Sequence, residues 1–158
     1  DLHLSIRRQR QMCIRDSRLI GPLLRYLKCI PVQGLEAIEQ AREALYAGWS
    51  VAIMPEGRVV PRSEWMEEGV SRGHIGVGKL ALQTGFPVVA AGASGSELLW
   101  PRGKYLPFMK PWSRQKVVLR CEYLGVVDGE TPREVTDQIM DGVKRCVERA
   151  ERETGLTR

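Results

Sequence analysis

The spacing of apolar positions along the chain predicts alternating helices and strands. In four segments apolar residues recur every three or four positions, the period of one helix face, which predicts helices near residues 18–28, 35–45, 76–84 and 131–148. Two continuous apolar runs predict buried strands near residues 50–54 and 86–93, and an alternating run predicts a strand near 115–123. Such alternation indicates the α/β class.

Capping residues support three of these helices. Thr131-Pro132-Arg133-Glu134 supplies an N-cap, a proline at the first helical position and a capping-box glutamate. Gly48 and Gly85 stand where the second and third helices should end.

The strand predicted at residues 50–54 runs directly into Pro55-Glu56-Gly57-Arg58. Proline ends a ladder because it has no N–H, and glycine allows a sharp turn. One carboxylate and one guanidinium would then lie at the end of a buried strand, where open α/β sheets bind their ligands. The alternative is a strand that leaves the core through a turn, with Glu56 and Arg58 as a solvated ion pair.

A second stretch has the features of an anion site. Arg72-Gly73-His74-Ile75-Gly76 leads into the helix near 76–84, so free N–H groups, glycines and the cations Arg72 and Lys79 would meet at a helix start. Arg58 and Arg72 can each bind a phosphate in bidentate fashion. Close packing of the helix on a strand is the alternative explanation for the glycines.

Composition narrows the range of partners. The chain has 158 residues, 43% of them hydrophobic, which suits one domain with a real core. Its net charge of +5 favours anionic partners: phosphorylated metabolites, acidic membrane surfaces or nucleic acid. Nucleic acid is not expected, because no block of Lys and Arg alternates with stacking aromatics.

The cysteines and histidines argue against a disulfide framework or a metal site. The four cysteines include no Cys-x-x-Cys pair, and there are two histidines. We predict that Cys29, Cys121 and Cys146 are small core residues and that the compartment is cytoplasmic. No apolar run approaches the ~18 residues that span a bilayer, so any membrane contact would be peripheral.

Two segments could touch lipid. The amphipathic helix near 18–28 either rests on a membrane or packs on the core. Residues 94–114 carry Trp100 and Trp112 among prolines and other apolar residues, which suits an acyl-chain wall, a bilayer interface or a small satellite core.

In order and spacing, these stretches resemble the glycerophospholipid acyltransferase family, which includes bacterial 1-acyl-glycerol-3-phosphate acyltransferases and especially their actinobacterial forms. Glu56-Gly57 matches the family's Phe-Pro-Glu-Gly-Thr-Arg box. Arg72-Gly73-His74 with Gly76 matches its (Arg/Lys)-Gly-(Lys/His)-x-Gly link, and the run from Pro87 to Gly95 matches its Pro-Val-(Val/Ile)-Pro-Val box. The resemblance covers roughly residues 18–153.

The resemblance implies a mixed sheet flanked by helices and an enzyme of phospholipid biosynthesis. Such enzymes move a fatty acyl group from acyl-CoA or acyl-carrier protein to a glycerol phosphate or lysophospholipid, with no cofactor, at the cytoplasmic face of a membrane. Carried over residue by residue, the resemblance implies a substrate site made of Glu56, Gly57, Arg58, Arg72, Gly73, His74 and Gly76.

The sequence departs from the family pattern where the family keeps its catalytic base. The family uses His-x4-Asp, but Arg8 stands five positions after His3 and Lys79 five after His74. No catalytic residue is therefore assigned in this chain. Threonine is missing between Gly57 and Arg58, and Ala90 stands where the family's Pro-Val-(Val/Ile)-Pro-Val box has its second proline.

The absence of the His-x4-Asp box and the irregular N-terminal segment together suggest the domain limits. Residues 1–17 lack a sustained period, and Gln11 to Ser17 look like a translated library adapter, so we expect a non-native or disordered segment there. Residues 18–153 would form an acyltransferase domain without its first box, incomplete at the N-terminus and marginally stable, and residues 154–158 a tail.

Two other functions are compatible with the sequence. One is a non-catalytic lipid- or membrane-binding module that uses the basic surface and the segment from Trp100 to Trp112. The other is a different phosphate-handling enzyme with Cys121 or Cys29 as nucleophile, although neither cysteine has an evident histidine partner.

Overall fold

The computed structural model describes Pro22, Tyr26 and residues 28–30, 36–57, 69–96 and 116–155. That part of the chain contains helix α1 (Glu36–Tyr46), helix α2 (Gly76–Thr84), strand β1 (Val88–Ser94), strand β2 (Val118–Gly125) and helix α3 (Pro132–Thr154). The mixture of helices and strands confirms the predicted α/β class. The chain divides into two compact units, Asp1–Glu43 and Ala44–Arg158.

The first unit is described over little more than the start of α1. Within it Glu39 and Arg42 form an ion pair of 2.5 Å along the helix, and Ala41 is buried. Most of the helix predicted near 18–28 lies outside the described residues. Pro22 and Tyr26 are helical there, and Tyr26 is exposed.

The end of α1, in the second unit, has the geometry of a Schellman motif. The Gly48 N–H donates to the Leu45 carbonyl at 3.0 Å and the Trp49 N–H to the Ala44 carbonyl at 2.9 Å. Gly48 has a φ of 83°, a left-handed conformation that glycine adopts without strain. The predicted stop at Gly48 is confirmed.

The buried strand predicted at residues 50–54 is wrong. The chain is assigned no strand there, and the side chains of Ile53 and Met54 are 43% and 91% exposed. In the described sheet β1 pairs with β2, so residues 50–54 form no ladder with it. An apolar run shows that a strand is possible, but it does not show that a neighbour pairs with it.

The two described strands form one antiparallel sheet. Ala90 pairs with Glu122, Gly92 with Arg120 and Ser94 with Val118, and an irregularity lies between Val88 and Val89. The strands predicted near 86–93 and 115–123 are confirmed in position, each shifted by one to three residues at its ends. The first is not buried throughout as predicted, because its alternate residues Val89, Ala91 and Ala93 are exposed.

Helix α3 covers one face of this sheet at very short range. A Cβ at Gly92 would lie 2.5 Å from the Val147 amide nitrogen, and one at Gly142 would lie 3.0 Å from the Ala90 Cβ. Because these glycines remove two side chains from the interface, the helix approaches the strands closely. The hydrophobic core contains Ala81 of α2, Val127, and Val135 and Ile139 of α3.

Ion pairs join α3 to strand β2. Arg145 donates to Glu122 at 2.7 Å, and Arg120 donates to Glu153, with the Nε–Oε1 distance at 2.7 Å. The arginine hydrogen bonds hold the pKa of both Glu122 and Glu153 below the ordinary value.

The other face of the sheet is apolar and exposed. Its alternating positions are Val89, Ala91, Leu119, Cys121 and Tyr123. The prediction that Cys29 and Cys121 are core residues is therefore wrong: both are exposed, Cys121 because it lies on this face. Cys146 is buried as predicted, and burial raises the pKa of its thiol.

Among the helices in the described part of the chain, none combines the length and apolar character needed to cross a membrane. The segment from Trp100 to Trp112 lies outside the described residues.

Candidate functional site

The Pro-Glu-Gly stretch forms a tight turn. The Gly57 N–H donates to the Met54 carbonyl at 3.1 Å, which closes a four-residue turn with Pro55 in its second position. Gly57 has a φ of 63°, so glycine is the residue that fits its last position without strain. The turn directs Glu56, which is half-buried, toward the edge of the groove described below.

The second predicted stretch lies directly against this turn. The His74 N–H donates to the Pro55 carbonyl at 2.8 Å. A Cβ at Gly57 would lie 2.8 Å from Cδ2 of His74 and 2.9 Å from its Nε2, so the imidazole packs on the bare glycine backbone. Two segments some seventeen residues apart in sequence are thus brought together, as the substrate-site prediction requires.

Two basic side chains near this junction are accessible to solvent. Arg72 and His74 are exposed, whereas Gly73 between them is buried. Arg72 makes no hydrogen bond or ion pair with the part of the chain that the structure describes. Arg58, the other predicted phosphate ligand, lies outside the described residues.

Helix α2 begins at the end of the same stretch without a side-chain cap. Ile75 occupies the N-cap position in a helical conformation, with φ −62° and ψ −10°, and its side chain makes no capping hydrogen bond. Such N–H groups attract anions. A Cβ at Gly76 would meet nothing within 4 Å, so the fold itself does not require glycine there.

Two other glycines of the stretch are explained by packing on α3. A Cβ at Gly78 would lie 2.1 Å from the Pro132 carbonyl oxygen, and one at Gly73 would lie 2.8 Å from the Met140 side chain. Close packing is thus the reason for Gly73 and Gly78, but the partner is a helix rather than the strand that the alternative interpretation named.

Arg133 also touches the site, although the sequence pattern places it only at the start of a helix. Its Nη1 donates to the Gly73 carbonyl at 2.9 Å and to Asp137 Oδ1 at 3.2 Å. The contact joins residues sixty positions apart, so no local sequence pattern could have indicated it.

An apolar groove of about 440 Å³ begins at the turn. Pro55 and Glu56 line one end, and Glu56 is the charged residue in its lining. The rest is contributed by Leu45, residues 51–54, α2, the link of residues 86 and 87, β1 and α3. Its side chains include Val77, Leu80, Phe86, Val88, Ile139 and Val143. Arg72, Gly73, His74 and Gly76 do not line this groove.

The structure offers no metal centre in its described part, where no three His, Cys, Asp or Glu side chains are grouped to hold an ion. Of the two cysteines considered as nucleophiles, Cys121 lies on the exposed sheet face and Cys29 is exposed in the first unit.

One of three comparisons with known proteins shows the family of the chain. Comparisons with curated proteins and with solved structures gave no match. A family model described as Acyltransferase matches residues 7–94, more than half of the chain. The matched range contains the Pro55–Gly57 turn, the 72–76 stretch and β1, and it begins within the segment 1–17 that the sequence analysis set apart. The chain therefore belongs to the acyltransferase family.

Proposed function

We propose that this acyltransferase acts in phospholipid biosynthesis. It would transfer a fatty acyl group from acyl-CoA or acyl-carrier protein to a hydroxyl of a glycerol phosphate or lysophospholipid, without a cofactor. The observation that carries the proposal is the junction between the Pro55–Gly57 turn and the 72–76 stretch, joined by the His74 to Pro55 hydrogen bond.

The junction has the chemistry of a phosphate site. Arg72 supplies an exposed guanidinium, and α2 begins a few residues later with no side-chain cap on its N–H groups. A phosphate monoester carries the charge and the acceptor oxygens that both groups favour. Gly76 leaves room for the headgroup to approach the backbone, since nothing lies within 4 Å of the position its Cβ would take. Glu56, Gly57, Gly73 and His74 would shape the site, and Arg58 would add a second cation.

The groove suits the apolar part of such a substrate. Its volume of about 440 Å³ lies within the range of small-molecule sites, roughly 300–1,000 Å³, and its lining is mainly aliphatic. The groove and the headgroup junction share Pro55, which lines the groove and accepts the His74 hydrogen bond. A lipid could therefore place its acyl chain and its headgroup on the two sides of one turn.

The membrane would supply the acceptor. A net charge of +5 favours the anionic cytoplasmic face of a bilayer, so we propose peripheral attachment there and no binding of nucleic acid. The general base is left unassigned, because neither His3 nor His74 is part of a His-x4-Asp sequence.

Acyl transfer from a labelled long-chain acyl-CoA or acyl-carrier protein tests the proposal. Lysophosphatidate, glycerol 3-phosphate and monoacylglycerol would be compared as acceptors for the enzyme. We expect the enzyme to acylate one of the two phosphorylated acceptors and to leave monoacylglycerol unchanged.

Two results would contradict the proposal. One is the absence of transfer by the enzyme to any glycerolipid acceptor. The other is binding of phosphorylated lipid with no transfer under any condition, which would instead support a non-catalytic lipid-binding module.

A further inference from the structure

We propose that Arg133 is a positioning residue, which holds the 72–76 stretch against the Pro55–Gly57 turn without touching substrate. Its effect on lipid binding rests on the proposed function, but the positioning itself can be measured without any ligand. Arg133 lies beyond residues 7–94, so the part of the chain that the family model matches would depend on a helix outside that range.

The first observation is the hydrogen bond from Arg133 to the backbone of the site. Nη1 donates to the Gly73 carbonyl at 2.9 Å, and Asp137, one turn later on α3, accepts from the same nitrogen at 3.2 Å. The Arg133 side chain is 33% exposed, so part of this bond is shielded from water. A charged donor makes the stronger kind of hydrogen bond to a carbonyl.

The second observation is the close fit of the same region on the first turns of α3. Gly73 lies against Met140 and Thr136, and Gly78 lies against the Pro132 carbonyl and Thr136. The start of α3 thus forms a platform for both the 72–76 stretch and the first turn of α2.

The third observation links this platform to the turn. Gly73, whose carbonyl accepts from Arg133, is followed directly by His74, whose N–H donates to the Pro55 carbonyl at 2.8 Å. Arg133 therefore fixes the peptide that joins the two stretches. Without it, Gly73 would keep its packing contacts but would lose the Arg133 hydrogen bond to its carbonyl.

Arg133→Met tests the inference, because methionine keeps much of the length but cannot donate. Arg133→Lys restores one donor. Arg149→Met is the matched control, because Arg149 lies on the same helix, 51% exposed, and its ion pair with Glu122 at 3.6 Å is on the side of the sheet. Amide hydrogen exchange would be followed at His74 and Gly57, together with the urea midpoint of global unfolding.

We expect Arg133→Met to speed exchange at His74 and Gly57 about tenfold or more, as loss of a charged hydrogen bond implies, while core amides of α3 change little. Arg133→Lys should recover part of that protection, and Arg149→Met should leave both amides as in the wild type. If lysophosphatidate binds, its affinity should fall in the same order.

Unchanged exchange at both amides in Arg133→Met would overturn the inference, as would an equal rise in Arg149→Met. If Arg133→Met lowers the protection of all amides alike, its role is global stability and the inference also fails. Absence of lysophosphatidate binding by the wild type would count against the proposed function but not against the positioning role, since the exchange measurement needs no ligand.

Discussion

At the scale of single residues, the glycines of the site serve different purposes. Gly57 has a left-handed backbone and packs against the His74 imidazole. Gly73 and Gly78 allow α3 to pack closely, and Gly76 faces open space. The sequence shows only that glycines are frequent there. Alanine substitutions should separate these purposes. A glycine required by the backbone or by packing should cost free energy of unfolding when replaced, whereas replacement of Gly76 should affect ligand binding.

Gly57→Ala should destabilise the fold. A left-handed conformation costs a residue with a Cβ roughly 1–2 kcal/mol, and the new methyl group would also press on His74. We expect the free energy of unfolding, from urea titration, to fall by about that amount.

A double variant separates the two causes. In Gly57→Ala combined with His74→Ala the steric conflict is gone, while the backbone strain remains. We expect a loss close to that of the single variant, because His74 is exposed and its imidazole can move. Full recovery of stability in the double variant would mean that the backbone conformation costs nothing.

The residues of the site could be predicted from sequence only as far as chemistry is local. Glu56, Gly57 and Arg72 to Gly76 stand in short motifs, and the structure brings the two motifs together at His74 and Pro55. Arg133 could not be found in this way, because its contact with Gly73 depends on how α3 packs and not on its neighbours in sequence.

At the scale of elements, the capping signals at Gly48, Gly85 and Thr131 were the most reliable, but the last helix runs to Thr154 and not to the predicted residue 148. Helix α2 has the predicted bounds of 76–84 and ends at Gly85, and α3 begins after the predicted N-cap Thr131. The capping box differs in one detail. Thr131 accepts from the Glu134 N–H at 3.2 Å, but Glu134 accepts from the Glu130 N–H rather than from that of the cap.

Thr131→Ala should weaken α3 and therefore the platform under the site. Loss of an N-cap costs about 1 kcal/mol, which urea denaturation can measure. Thr131→Ser keeps the acceptor oxygen and should remain near wild-type stability. Equal losses in the two variants would show that the hydroxyl does not act as the cap.

The wrong prediction of a strand at residues 50–54 shows that an apolar run alone does not determine a strand. The apolar run is real, yet in the structure it lies along a groove and exposes Met54. Whether an apolar run becomes a strand depends on a partner with free backbone groups, and the run itself carries no information about that partner.

At the scale of the whole molecule, surface ion pairs between the sheet and α3 make the free energy of unfolding depend on pH. Glu122 and Glu153 have folded pKa values below their unfolded ones because Arg145 and Arg120 donate to them. The folded state therefore binds these protons less readily. The resulting stabilisation is complete above the ordinary pKa and is lost as pH falls through the lower folded values.

The double variant Glu122→Gln with Glu153→Gln should reveal this contribution. We expect its urea midpoint to lie below that of the wild type at pH 7, and the gap to close as both are taken to pH 3. The effect should be small, because both pairs are exposed to solvent. Glu130→Gln, at an exposed position before α3, is the control. A gap that widens toward pH 3 would contradict the assigned direction of the shifts.

The central claim is that a lipid phosphate binds where the Pro55–Gly57 turn meets the 72–76 stretch, and Gly76→Ala tests it most directly. No atom of the described residues opposes a methyl group there, and alanine favours helix, so the free energy of unfolding should stay equal or rise by up to about 1 kcal/mol. Calorimetric titration would compare lysophosphatidate with monoacylglycerol of the same chain length. We predict that the wild type prefers lysophosphatidate and that Gly76→Ala loses this preference while remaining folded. An undiminished preference for lysophosphatidate in a stable Gly76→Ala protein would contradict the claim.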